Sequence, residues 1–187
     1  MRCLLLTLTL STCVSALVSG QSEKTAAYDR PFVYPSLKGF GGIYEMPEAT
    51  VLPDPDLEYK LIVDVVSEAE APDSLAQGLY RLARMINLFG VAGVPAEQLD
   101  IVLAIHGGAT FGVMDNDSYR ERFGVDNPNL PLLAALSRMG VKSTVCGQSL
   151  IGRDIPVSAV DDTVEVATSM LTTVATYQMR GYQIMRF

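Results

Sequence analysis

Histidine occurs once in this 187-residue chain, cysteine three times, and basic residues number only 14 against 21 acidic ones. Each scarcity excludes a class of function. With His106 as the sole histidine, a zinc site would need distant carboxylates or a second subunit, because tetrahedral sites draw on several His or Cys ligands. The formal net charge is −7 and the Lys and Arg residues are scattered. With no basic patch, neither nucleic acid nor anionic lipid is expected as the main partner. Beyond the N-terminus no run is long and apolar enough to span a bilayer, which takes about 20 residues.

The N-terminal stretch itself reads as a targeting segment. Arg2 gives a minimal positive start, Cys3 to Val18 is apolar, and Val18-Ser19-Gly20 sets small residues before a cleavage ahead of Gln21. Residues 1–20 are therefore expected to be a signal peptide, and the mature protein to be secreted or periplasmic without a stable membrane span. The alternative, a permanent anchor helix, is opposed by the shortness of the stretch and its Ser and Thr content. Removal of the segment takes Cys3 and Cys13 with it. Cys146 is then alone, so no intramolecular disulfide is possible, and the thiol is either free, bonded to another chain, or a buried small hydrophobe.

Apolar residues make up 49% of the chain, enough for a real core in one domain. Residues 21–58 are expected to be an extended arm. Pro31, Pro35, Pro47, Pro53 and Pro55 forbid long helices there, and Tyr28, Phe32, Tyr34, Phe40 and Tyr44 suit packing on the domain or on a neighbouring subunit. Gly39-Phe40-Gly41-Gly42 reads as a turn, since no strand precedes it and no helix follows it.

From Tyr59 onward strand and helix alternate. Leu61–Val66, Leu99–Ile105 and Val141–Val145 are apolar runs of strand length, suited to burial on both faces. Thr163–Thr168 and Tyr182–Phe187 are shorter strand candidates. Helices are expected after Pro72, capped by Asp73 or Ser74 and carrying Leu75, Leu79, Leu82, Ile86 and Phe89 on one face. Others are expected over Asp115–Phe123, Asn129–Met139 and Ser169–Met179. The alternation predicts an α/β fold of three layers, α/β/α, with a mostly parallel sheet of about five strands.

In such sheets function gathers at the carboxyl ends of the strands. His106 ends the second strand and Cys146 the third. Gly147 permits a tight turn after Cys146, and a helix starting at Gln148 or Ser149 would aim its free N–H groups at the sulfur and favour the thiolate. A serine hydrolase is excluded: Ile151 stands where the nucleophile elbow around Ser149 needs glycine, and no histidine follows the serine.

Tyr59–Val66, the helix after Pro72, Ile105-His106-Gly107-Gly108, Val141–Cys146-Gly147-Gln148 and Gln178-Met179-Arg180-Gly181-Tyr182 together resemble the DsrE/DsrF-like (YchN-like) family, over residues 59–187. The resemblance implies a flavodoxin-like, three-layer domain assembling as homotrimers or homohexamers, and a cysteine that relays sulfur as a persulfide. Its strand-end cysteine falls on Cys146 and its His-Gly step on His106 and Gly107, so Cys146 and His106 are expected to be catalytic. Gly107 and, from the turn and helix start after the strand, Gly147, Gln148 and Ser149 are expected around the substrate; no cofactor is expected. The expected partner is a thiol or persulfide donor protein or a small sulfur compound. Two other readings stand beside this one: a non-catalytic oligomeric binding protein on the same fold, and a small-molecule binder using His106 and Ser149.

Overall fold

The computed structural model describes residues 30–187. The expected signal segment with Cys3 and Cys13, and Tyr28 of the arm, lie outside the described residues. The domain holds five strands, β1 (Tyr59–Val65), β2 (Leu99–Ile105), β3 (Lys142–Cys146), β4 (Val164–Ala167) and β5 (Gln183–Arg186). Between them run α1 (Gln77–Val91), α2 (Asn116–Phe123), α3 (Leu130–Arg138), α4 (Gly147–Gly152) and α5 (Met170–Met179). The sheet order is β4-β3-β2-β1-β5 and every pairing is parallel. The three long apolar runs occupy the centre, where both faces are covered, and the two short strands form the edges.

Side chains alternate across a strand, and the two faces of this sheet are unequal. Leu61, Val63, Val65, Leu103, Ile105 and Val145 enter the main core with Leu79, Leu82 and Ile86 of α1, Leu132, Leu133 and Leu136 of α3, and Leu150 of α4. Ile62, Val102 and Ala104 face the other way, against Val174 of α5 with Met170, Tyr177 and Tyr182 around it. One ten-residue helix therefore covers one face, while α1, α2, α3 and α4 share the other, α2 through Tyr119.

The helix after Pro72 differs from its expected start. It begins at Gln77, with Ala76 in the cap position and no side-chain cap. Ser74 instead closes a local turn with Ala71. The first helical N–H groups are taken by the preceding loop: Gln77 N–H donates to Glu68 O (3.1 Å) and Gly78 N–H to Ser67 O (3.3 Å). The Ala76 N–H donates to Asn129 Oδ1 (2.8 Å). With these donors already satisfied, a capping side chain has nothing left to do. Asp115 does act as an N-cap, accepting from Ser118 N–H, and residues 107–113 form a 3₁₀ segment that the sequence pattern did not mark.

The arm packs on the domain itself. Val33 and Ile43 pair through hydrogen bonds of 2.9 and 3.1 Å, and Phe32 and Tyr44 stack at 4.4 Å. Leu37 and Ile43 are buried. The arm lies over α1, fixed by Asn87.

Candidate functional site

β3 and β4 are neighbours whose chains leave the sheet on opposite faces. After β3 the chain enters α4, whose Leu150 joins the main core. After β4 it enters α5, whose Val174 packs on the other face. A crevice opens at such a topological switch point, outside the carboxyl ends of the strands. Cys146 is the last residue of β3, paired with Ala167 of β4, at that switch point.

Cys146 is 4% exposed, yet its sulfur is faced by donors. α4 begins at Gly147, one residue earlier than expected, so Cys146 itself occupies the cap position. Ser169 caps α5 from the other side, accepting from Leu171 N–H, and its Oγ stands 4.0 Å from Cys146 Sγ. Burial pushes the Cys146 thiol up. The Met170 N–H, the Ser149 N–H and hydroxyl, and the Ser169 hydroxyl outweigh that effect and hold the thiol below its ordinary value. The thiolate is thus stabilised by the first turns of two helices that meet at one sulfur.

Gly147 is what lets them meet. A Cβ there would lie 2.9 Å from Ala167 O, inside contact distance, so any other residue would push β3 and β4 apart where the crevice begins. Gln148 spans the same gap, its Nε2 donating to Thr168 O at 3.5 Å. Cys146, Gly147, Gln148 and Ser149 thus form the turn from β3 into α4.

His106 stands on the adjacent strand. Ile105 pairs with Val145, so His106 and Cys146 occupy the next positions along β2 and β3, on the α5 face. The imidazole engages Asp64 of β1, with Nε2 2.5 Å from Oδ1. Gly107 turns the chain away at φ 58°, and its carbonyl accepts from Thr110 Oγ1 at 2.8 Å. The downward shift of the thiol comes from the helix starts, and the imidazole stands on the neighbouring strand. The sequence reading missed Asp64 and Arg186, and took Ser169 only as a helix start. Asp64 had one visible signal: it is the lone charge inside Leu61–Val66.

A family model described as the DsrE/DsrF-like family matches residues 60–187. The arm lies outside that match. Among solved structures, the YchN protein of E. coli is similar at 21% identity and a TM-score of 0.50, covering 69% of this chain and 99% of its own. A protein of unknown function from Methanobacterium thermoautotrophicum is similar at 16% identity and a TM-score of 0.51, with the same coverage. No curated protein matches significantly. The parallel sheet, its covering helices and the family match agree, and the chain belongs to the DsrE/DsrF-like family.

Proposed function

We propose that this protein is an exported sulfur carrier or thiol-exchange protein that takes a sulfur atom onto Cys146 as a persulfide. The observation that carries this reading is the convergence of N–H and hydroxyl donors from α4 and α5 on one buried sulfur. A nucleophilic thiol must ionise, and these donors favour the ionised form. The family's association with sulfur relay supports the same reading. Incubation with a persulfide donor tests it: the mature protein should gain about 32 Da at Cys146, reversibly on reduction, which separates a persulfide from irreversible dioxidation. No gain, or a gain at another residue, would contradict it.

A second reading, a binding protein with an inert cysteine, is favoured by one observation, the 4% exposure of Cys146. Such a thiol would take up no sulfur in the native state.

Self-association belongs to the proposal. α5 contains no charged residue. Leu171, Ala175 and Met179 recur at a four-residue spacing along one outward stripe, Leu171 74% and Met179 89% exposed. A helix apolar on both sides is normally buried, and a second copy is the natural cover in a homotrimer or homohexamer. Light scattering at micromolar concentration should give an oligomer. Leu171→Glu combined with Met179→Glu should lower it to a smaller species, and a monomeric wild-type protein would contradict the proposal.

A further inference from the structure

Asp64 is the only charged side chain buried among the described residues, at 5% exposure near the carboxyl end of β1, an inner strand of the sheet. Burying an unpaired carboxylate costs several kcal/mol, and an apolar residue there would pack without that cost. Two partners account for its place. Oδ1 meets His106 Nε2 at 2.5 Å, and Oδ2 faces Arg186 Nε at 3.4 Å. Arg186 is the register partner of Asp64 on β5. An ionised carboxylate only accepts hydrogen bonds, so Nε2 must carry the proton. In the neutral ring Nδ1 is then the free acceptor.

All these residues lie on the α5 face of the sheet. By alternation Ile62 and Asp64 of β1, Ala104 and His106 of β2, and Thr144 and Cys146 of β3 share it. Adjacent strands are about 4.8 Å apart, so the imidazole is anchored one strand away from the sulfur. We infer that Asp64 is a positioning residue. It fixes His106 in the Nε2–H tautomer, so that Nδ1 can take the thiol proton and return it to the group that leaves when sulfur is transferred. This rests on the sulfur-carrier reading and adds to it the means of proton balance.

The step balances with a persulfide R–S–SH as the only co-reactant. Cys146 gives its proton to Nδ1. The thiolate attacks the terminal sulfur, a new S–S bond forms to Cys146, the S–S bond of the donor breaks, and R–S⁻ leaves with the electron pair. Nδ1 then protonates R–S⁻ to R–SH. Nothing is oxidised or reduced overall.

The leaving thiolate supplies the test. An alkyl thiolate is a strong base and needs the proton as it departs, whereas an aryl thiolate departs without it. Asp64→Asn should slow transfer from an alkyl persulfide about tenfold or more, within the range of general acid catalysis. It should slow transfer from an aryl persulfide far less. His106→Gln, whose amide can still donate to Asp64, should show the same dependence on the leaving group. Equal slowing with both donors, or none, would overturn the inference. Nitrogen NMR of the wild-type imidazole provides a check that needs no variant: Nε2–H is expected, and an Nδ1–H tautomer would overturn it. If the wild-type protein accepts sulfur from neither donor, the carrier reading falls, while the tautomer still decides what Asp64 does.

Discussion

Cys146→Ser should abolish persulfide loading completely while leaving the domain folded. The first half follows from chemistry: Cys146 is the free cysteine among the described residues, and a serine hydroxyl neither ionises near neutral pH nor accepts sulfur. The second half follows from packing. Serine is slightly smaller, and at this position its hydroxyl meets the Ser149 and Met170 N–H groups and the Ser169 hydroxyl that face the sulfur. The exchange trades a small apolar loss for hydrogen bonds, so stability should change by about 1 kcal/mol or less. Mass spectrometry after exposure to a persulfide donor and thermal unfolding of the same sample check both halves. Loading that persists in Cys146→Ser would contradict the assignment. A collapse in stability would mean that the site is a packing element first.

The largest stability effect is expected at Asn87. Its side chain is completely buried and uses its full capacity of two donors and two acceptor lone pairs. Oδ1 accepts from Ser36 N–H (3.0 Å) and Leu37 N–H (2.9 Å), while Nδ2 donates to Phe40 O (2.8 Å) and Gly41 O (2.9 Å). One side chain on α1 thus satisfies four backbone groups of the arm. Asn87→Ala strands all four, each at about 1–3 kcal/mol before relaxation. Partial escape of the arm to water returns some of this, leaving about 3–5 kcal/mol, a large part of the 5–15 kcal/mol of a typical domain. Thermal unfolding should fall by roughly 10 °C. Limited proteolysis should cut within residues 30–58 before it reaches the domain. Asn87→Asp, which buries a carboxylate against the Phe40 and Gly41 carbonyl oxygens, should destabilise at least as much as Asn87→Ala. An unchanged melting temperature with a protected arm would show that Leu37 and Ile43 alone hold the arm down.

Much of this architecture is legible in the amino-acid order because its causes are local. Leu61–Val66, Leu99–Ile105 and Val141–Val145 are apolar at consecutive positions, and only a strand covered on both faces uses such a run. The spacing of Leu79, Leu82 and Ile86 gives α1, although Leu75, expected on the same face, precedes the helix, and the end of β3 gives the place of Cys146. What escapes the reading depends on partners distant in sequence. The start of α1 is set by the Glu68 and Ser67 carbonyls and by Asn129, so a capping rule based on neighbours misplaces it. Asp64 finds His106 across 42 positions, and Asn87 finds the arm about 50 positions away. The second helix start at Cys146 could not be seen before the sheet order placed β4 beside β3 and sent α5 to the opposite face.

The lowered thiol also links the site to stability. A group whose folded pKa lies below its unfolded value adds stability above the unfolded value, and that contribution is lost as pH falls through the folded one. For Cys146 the direction is downward, so the domain should gain stability as pH rises toward the ordinary thiol range, and Cys146→Ser should remove that gain.

The most direct measurement is the rate of Cys146 alkylation in the native protein as a function of pH. The donors of α4 and α5 predict a rate that rises with a midpoint below the ordinary thiol value of about 8.5, and a midpoint that moves up when Ser149 and Ser169 are replaced by alanine. A Cys146 that stays inert in the folded protein up to about pH 9, where an ordinary thiol would already be largely ionised, would contradict the account.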